Sequence, residues 1–327
     1  MRRREFIAGL GAAASWPFAA RAQQPTLPVI GWLASGLTVR PPTGPDMRAF
    51  FLGLSEMGYV EGRNVAVEFR GSDQYDQFPA LAADLVRRKV AVIYASGSSA
   101  MAAKAATTTI PIVFANGSDP VRVGLVPSLS RPGGNITGVT LFISEIVALR
   151  LQHLRELVPG AAAGTIGFLT NPTSLLSKPR TSDMLAAAQR IGQQMRVLTA
   201  SAVNEIDAAF ASAADEHLAA LIVDGDALFN RQLDQMTALA ARYRIPASYP
   251  TRVFADAGGL TSYGDNRAES MRLVGIYVGR VLKGDKPSDL PVLQPTRLEL
   301  VINMKTAKAL GLTVPLTLQV AAEQVIE

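Results

Sequence analysis

Short apolar runs alternate with amphipathic stretches along most of the chain, a pattern that predicts strands feeding helices. Pro28 to Leu33 reads as a buried strand, ended by Ala34-Ser35-Gly36. Met47, Phe50, Phe51, Leu54 and Met57 then recur at helical spacing, with Gly58 as the C-terminal cap. Val65 to Phe69 alternates as a second strand. Phe78, Leu81, Ala82 and Leu85 mark a second helix closing on Arg87-Arg88-Lys89, a basic run suited to the negative end of the helix dipole. Val90 to Tyr94 is a third strand, which breaks into Ala95-Ser96-Gly97-Ser98-Ser99 and continues as an alanine-rich helix to Ala106. Ile110 to Phe114 is a fourth strand, followed by the polar turn Ala115 to Pro120.

After Arg131-Pro132-Gly133-Gly134-Asn135, a strand from Ile136 to Leu141 leads into a long helix, Ser144 to Val158. The pattern then restarts. Strands are expected at Thr165 to Leu169, Arg196 to Leu198, Ala219 to Val223 and Pro246 to Tyr249. Helices are expected around Met184 to Ile191, from Glu205 to Glu216 and from Leu228 to Tyr243. Gly258 to Tyr263 and Leu298 to Asn303 are further strands, and Val274, Val278 and Val281 line a helix stopping at Gly284. A short helix, Thr306 to Leu310, follows the last of these strands. These late elements fall outside either half, as they would in a chain that crosses back between two lobes.

Apolar strands alternating with helices predict two doubly wound α/β lobes, each a parallel sheet covered on both faces. Ligands of such sheets sit at the carboxyl ends of the strands, so the turns at Ser35, Ser98 and Asn116 would share one edge. A strand running straight into a helix presents backbone N–H groups and small hydroxyls at the helix N-terminus, which suits a carboxylate. Ser98 and Ser99 are therefore candidate ligand contacts, with helix capping as the competing role. Asp224 and Asp226 close a strand two residues apart, facing the same way, and either can meet an ammonium or cap the next helix. Asn171 before Pro172 has the same two roles open. Tyr249 and Tyr263 end predicted strands, where a ring can cover an apolar ligand group or simply pack in the core.

The chain has 327 residues, 48% of them hydrophobic, enough for two domains with full cores. Of the net charge of +5, Arg2, Arg3, Arg4 and Arg21 against Glu5 carry all but two units, so no nucleic-acid footprint remains. With no cysteine and only His153 and His217, neither disulfides nor a thiolate or histidine metal site can form. Both histidines are expected on the surface, and no cofactor is expected. No Gly-x-Ser-x-Gly elbow is present, which argues against a hydrolase.

Residues 1–22 read as an export signal: Arg2-Arg3-Arg4, an apolar run from Phe6 to Ala20, and Ala20-Arg21-Ala22 as the cleavage site. Arg3-Arg4 followed by Glu5-Phe6-Ile7 has the twin-arginine form. The apolar run is too short to span a membrane, so a soluble periplasmic protein starting at Gln23 is expected.

Several longer motifs carry a resemblance. They are Gly58-Tyr59-Val60-Glu61-Gly62, Ser118-Asp119-Pro120-Val121, Arg131 to Val139, Gly275-Ile276-Tyr277-Val278-Gly279, Leu300-Val301-Ile302-Asn303 and Thr306 to Leu312. With the export signal, they resemble the substrate-binding proteins of ABC transporters related to tryptophan- and phenylalanine-binding members. The resemblance implies a type I periplasmic binding fold, two lobes joined by three crossovers and closing on a small ligand. It implies a first lobe of 28–140 plus 262–290 and a second of 141–261 plus 291–327. It further implies that Ser35, Ser98, Ser99, Asn116 and Ser118 hold the carboxylate of an amino acid. Asn171, Asp224 or Asp226, and a stacking Tyr249 would complete the site, and a permease of the inner membrane would be the partner. Asn116-Gly117 departs from many relatives, which leaves room for a ligand other than an aromatic amino acid.

Overall fold

The computed structural model describes residues 27–35, 44–140, 144–294 and 297–327. The expected export signal lies outside these residues. Strands β1 (Val29–Ser35), β2 (Ala66–Ser72), β3 (Val92–Ser96), β4 (Ile112–Asn116) and β5 (Ile136–Thr140) form one five-stranded sheet in the order β2-β1-β3-β4-β5. All its neighbouring strands are parallel. Helices α1 (Pro45–Glu56), α2 (Phe78–Arg87) and α3 (Ser99–Ala106) supply the crossovers that parallel strands require.

The period of two along each central strand sorts its side chains between two cores. Ile30, Trp32, Val92, Tyr94, Val113 and Ala115 face one layer, and Leu33, Ile93, Ala95, Ile112 and Phe114 the other. Because both faces are covered, β3 and β4 read as continuous apolar runs rather than alternating ones. The edge strand β2, paired only with β1, keeps the alternation and stays half-buried throughout.

The second sheet has seven strands: β6 (Ile166–Thr170), β7 (Met195–Thr199), β8 (Ala220–Val223), β9 (Ala247–Tyr249), β10 (Thr261–Asp265), β11 (Leu298–Asn303) and β12 (Gln324–Ile326). Their order is β12-β11-β10-β9-β8-β6-β7, parallel except where β10 meets β11. Its layers divide in the same manner, with Ile166, Phe168 and Ile222 on one side and Leu169, Leu221 and Val223 on the other. Helices α4 (Ser144–Leu157), α5 (Ser177–Arg190), α6 (Val203–Asp215), α7 (Ala227–Arg231), α8 (Leu233–Arg242) and α9 (Arg252–Asp256) belong to this lobe.

Three details differ from the periodicity. The helix expected from Leu228 to Tyr243 is two helices, α7 and α8, meeting at Gln232, whose backbone (φ −99°, ψ 28°) is not helical. The strand expected from Gly258 begins only at Thr261, because Gly258 sits at φ +101° and Gly259 closes the turn on Phe254. The lobe limits also move. Strand β10 lies between β9 and β11, so Ser262 to Asp265 belong to the second lobe. The chain returns to the first lobe with α10 (Arg267–Leu282), capped by the Asn266 side chain on the Glu269 N–H. At the other limit, Leu293 stays with the first sheet, where its carbonyl accepts from the Thr140 N–H at 2.8 Å and its N–H donates to Gly138 at 2.9 Å. The last segment holds α11 (Met304–Leu310) and α12 (Leu316–Ala321). Among the described residues no helix is long and apolar enough to cross a membrane.

Helix α10 packs on α1 with backbones in contact. A Cβ placed on Gly275 would lie 2.1 Å from the Phe50 carbonyl oxygen, and one on Gly53 would lie 1.9 Å from that of Arg272. Only glycine permits this approach.

Candidate functional site

The carboxyl ends of β3 and β4 face those of β6, β8 and β10 across a cleft. It holds a cavity of about 270 Å³, near the lower end of small-molecule sites, roughly 300–1,000 Å³. Ser96, Gly97, Ser98, Ala115 and Gly117 line it from the first lobe. Gly97 adopts φ +56°, a left-handed turn open to glycine, and its N–H is tied to the Ala115 carbonyl at 2.9 Å.

The two serines after this glycine separate in role. Ser98 is buried at the cavity wall and its hydroxyl meets that of Ser174 in the second lobe at 3.1 Å. Ser99 turns into the first lobe: its one hydroxyl proton is shared between the Leu33 and Ser96 carbonyls, each 2.8 Å from Oγ, and Oγ accepts from the Ser96 N–H at 3.0 Å. It locks the turn and lies outside the cavity lining. Ser99→Ala should therefore cost about 2 kcal/mol in urea unfolding, the cost of stranding buried partners. Ser98→Ala breaks a single hydroxyl contact and leaves Ser174 its Leu176 N–H, so it should cost about 1 kcal/mol or less while weakening ligand in isothermal titration. Equal losses of stability in the two variants would refute this division.

Asn116 also serves the turn. Its amide donates to the Ser118 carbonyl at 3.2 Å and accepts from the Ser118 N–H at 3.3 Å. The Ser118 hydroxyl reaches the other lobe, accepting from Arg180 Nε at 3.2 Å. Ser35 ends β1 opposite Ser72, in the same row of strand ends as Ser98 and Asn116.

In the second lobe Asp224 and Asp226 both line the cavity, as their spacing suggests. Asp224 accepts from the Gly225 N–H at 2.7 Å and from Thr170 Oγ1 at 3.0 Å, with Arg180 Nη1 3.5 Å away. Asp226 caps α7 through the Leu228 N–H at 2.9 Å and accepts from Asn171 Nδ2 at 3.0 Å. Its second oxygen takes the Tyr75 hydroxyl from the first lobe at 2.6 Å. Burial, and the Asp226 carboxylate beside it, raise the Tyr75 pKa, so this phenol stays a proton donor. Capping and cleft-lining are thus compatible in Asp226. Asn171 supports Asp226 from behind.

Tyr249 lies elsewhere. It is fully buried, stacked on Phe254 with ring centres 4.6 Å apart, and outside the cavity. Core packing claims this ring, while Tyr75 and Tyr263 provide the aromatic walls. His153 is half-buried rather than on the surface, edge-on to Tyr263 at 4.8 Å, and burial lowers its pKa.

Four arginines line the cavity, and periodicity alone named none of them: Arg150, Arg180, Arg231 and Arg267. Arg231 pairs with Asp73 at 3.0 Å and Arg267 with Asp46 at 2.8 Å. A usable signal did exist for two. Arg150 falls between Val147, Leu151 and Leu154 on the buried face of α4, and Arg180 is one turn before Met184 on that of α5. A cation on the apolar face of an amphipathic helix needs a reason to be there.

Polar contacts across the cleft include Tyr75 with Asp226, Ser98 with Ser174, Ser118 with Arg180, Asp73 with Arg231, and Arg122 with both Asp183 and the Pro179 carbonyl. The cleft is closed.

Comparison with known proteins agrees with this architecture. A family model described as ABC transporter substrate binding protein matches residues 46–326. A tyrosine-binding protein of Clostridioides difficile (strain R20291) is 28% identical over 280 residues, covering 85% of this chain and 80% of the relative. The crystal structure of an ABC domain from Streptococcus pneumonia in complex with L-Trp superposes with a TM-score of 0.80 at 24% identity, covering 92% of this chain and 100% of that one. A ligand-free, open structure of CD0873, a substrate-binding protein with adhesive properties from Clostridium difficile, gives 0.62 at 26% identity, with 88% and 96% covered. These structures share the two-lobed type I periplasmic binding fold, and the chain belongs to the family of ABC transporter substrate-binding proteins.

Proposed function

We propose that the protein is the solute receptor of an ABC importer. It closes its two lobes on a small carboxylate-bearing solute, an amino acid or a related acid, and delivers it unchanged to a membrane permease. The observation that carries this reading is the closed inter-lobe cavity, with the Gly97-Ser98 turn on one wall and Asp224 and Asp226 on the other. Backbone N–H groups and hydroxyls at a strand-to-helix turn suit a carboxylate, and the rings of Tyr75 and Tyr263 and the side chains of Ile146 and Val147 suit an apolar ligand body. The tyrosine named for the C. difficile relative and the L-Trp bound in the S. pneumonia structure support an aromatic amino acid as one such solute. The same reading puts the protein in the periplasm after twin-arginine export and cleavage behind Ala22, which the N-terminal residue of the exported protein would check.

Isothermal titration of the mature protein against amino acids, aromatic acids and sugars tests the function. At least one carboxylate-bearing solute should bind, and mass spectrometry should recover it chemically intact. Binding confined to sugars, or turnover of the bound solute, would sink the proposal. Tyr75→Phe should weaken the bound solute about tenfold, because closure then lacks a hydrogen bond to a charged acceptor. Undiminished affinity would show that the Tyr75–Asp226 contact plays no part in closure.

A further inference from the structure

Of the four arginines in the cavity, Arg180, Arg231 and Arg267 each have a carboxylate within 4.0 Å. Arg150 has none among the described residues. Its side chain is buried, 4% exposed, on the inward face of α4. Nη2 donates to the Val223 carbonyl at 2.8 Å and the Ser248 carbonyl at 2.9 Å, which anchors the guanidinium at the carboxyl ends of β8 and β9. Nε is buried with no hydrogen-bond partner among the described residues. Ile146, Val147, Phe168 and Tyr263 line the same cavity and give it apolar walls. Desolvation pushes the Arg150 pKa down to about 10, opposed by the nearby Asp224 carboxylate, and the group remains a cation at neutral pH.

A buried, anchored and unpaired cation at a ligand cavity is the complement of an anion. Three carboxylates line the cavity, and each already accepts hydrogen bonds within the protein: Asp224 and Asp226 through both oxygens, and Asp265 from the Ser270 hydroxyl at 2.8 Å, with burial raising the Asp265 pKa. Four arginines stand against three aspartates in the lining, so the site favours negative charge. We propose that Arg150 receives a second acidic group of the solute, so that the receptor takes a small diacid, one carboxylate at the Gly97-Ser98 turn and the other at Arg150. This rests on the receptor reading and narrows its solute class.

Matched probes differing by one carboxylate provide the test: pentanoate with glutarate, benzoate with terephthalate, and phenylalanine with 4-carboxyphenylalanine, each titrated into the full mature protein. In a pair that binds, the diacid should be tighter by about tenfold or more, the worth of hydrogen bonds between charged groups. Arg150→Gln should cut that preference to within about threefold, and Arg150→Lys should retain part of it. The wild-type comparison decides by itself, so a variant that does not fold leaves the outcome readable. A monoacid that binds as well as its diacid overturns the proposal, as does a set of six silent probes in a protein that binds tyrosine or tryptophan. If no carboxylate-bearing solute of any kind binds, the receptor reading itself falls.

Discussion

Asp224→Ala should lower the unfolding free energy by about 3–5 kcal/mol, the range for removing one partner of a buried ion pair. Asp224 is 4% exposed and Arg180 5% exposed, so neither charge has water to fall back on. Without the carboxylate, Arg180 keeps the Ser118 hydroxyl and the Gly225 carbonyl as acceptors among the described residues, the Thr170 hydroxyl keeps only Ser177, and the Gly225 N–H loses its acceptor. Most of the cost is the stranded cation, not the worth of the pair. Asp224→Leu combined with Arg180→Met should therefore be milder than Asp224→Ala alone. Urea denaturation of the single and double variants checks both statements. A loss below about 1 kcal/mol for Asp224→Ala would mean that Arg180 finds solvent readily.

Gly275→Val should destabilise by about 3 kcal/mol, at the upper end of overpacking costs. The atom in the way is the Phe50 carbonyl oxygen of α1, which has no rotamer to turn aside. Gly279 adds a second point of contact, its Cβ position lying 2.4 Å from that of Met57. Helix α10 cannot simply back away, because Val274 and Val278 are buried in the core beneath it. Thermal unfolding measures the effect. A melting temperature equal to that of the wild type would show that the two helices separate without loss. The contact also explains why Gly275 and Gly279 stand at a spacing of four in the motif that carries the family resemblance.

The alternation of apolar runs with helical spacing exposes two α/β sheets, though not the antiparallel pairing of β10 with β11, and the parallel-strand rule names Ser98, Asp224 and Asp226 as candidates, all three of which line the cavity. That rule locates an edge, but it does not say which way a side chain turns at that edge. Ser98 and Ser99 are adjacent, yet one faces the cleft and the other the carbonyls of its own lobe. Tyr249 ends its strand as expected, and the stacking of Phe254 then draws its ring into the core. Arg150 and Arg180 were legible as charged residues on apolar helix faces, a signal that surfaces only when polar exceptions to the period are weighed as heavily as its apolar members. Tyr75 had no such mark: its approach to Asp226 depends on how the lobes close, which no local pattern encodes.

The crossover through α10 has a consequence for how the chain folds. The layer formed by Ile30, Trp32, Tyr94 and Val113 is covered in part by Met271, Val274 and Val278, more than 150 residues later in the chain. A ribosome that has released only the first lobe's five strands has therefore released a sheet with one apolar face incomplete. Until α10 emerges, that face is a surface for chaperones or for misassembly, and native contacts of such long separation slow folding. The first lobe is first in sequence only; in time it is completed after most of the second.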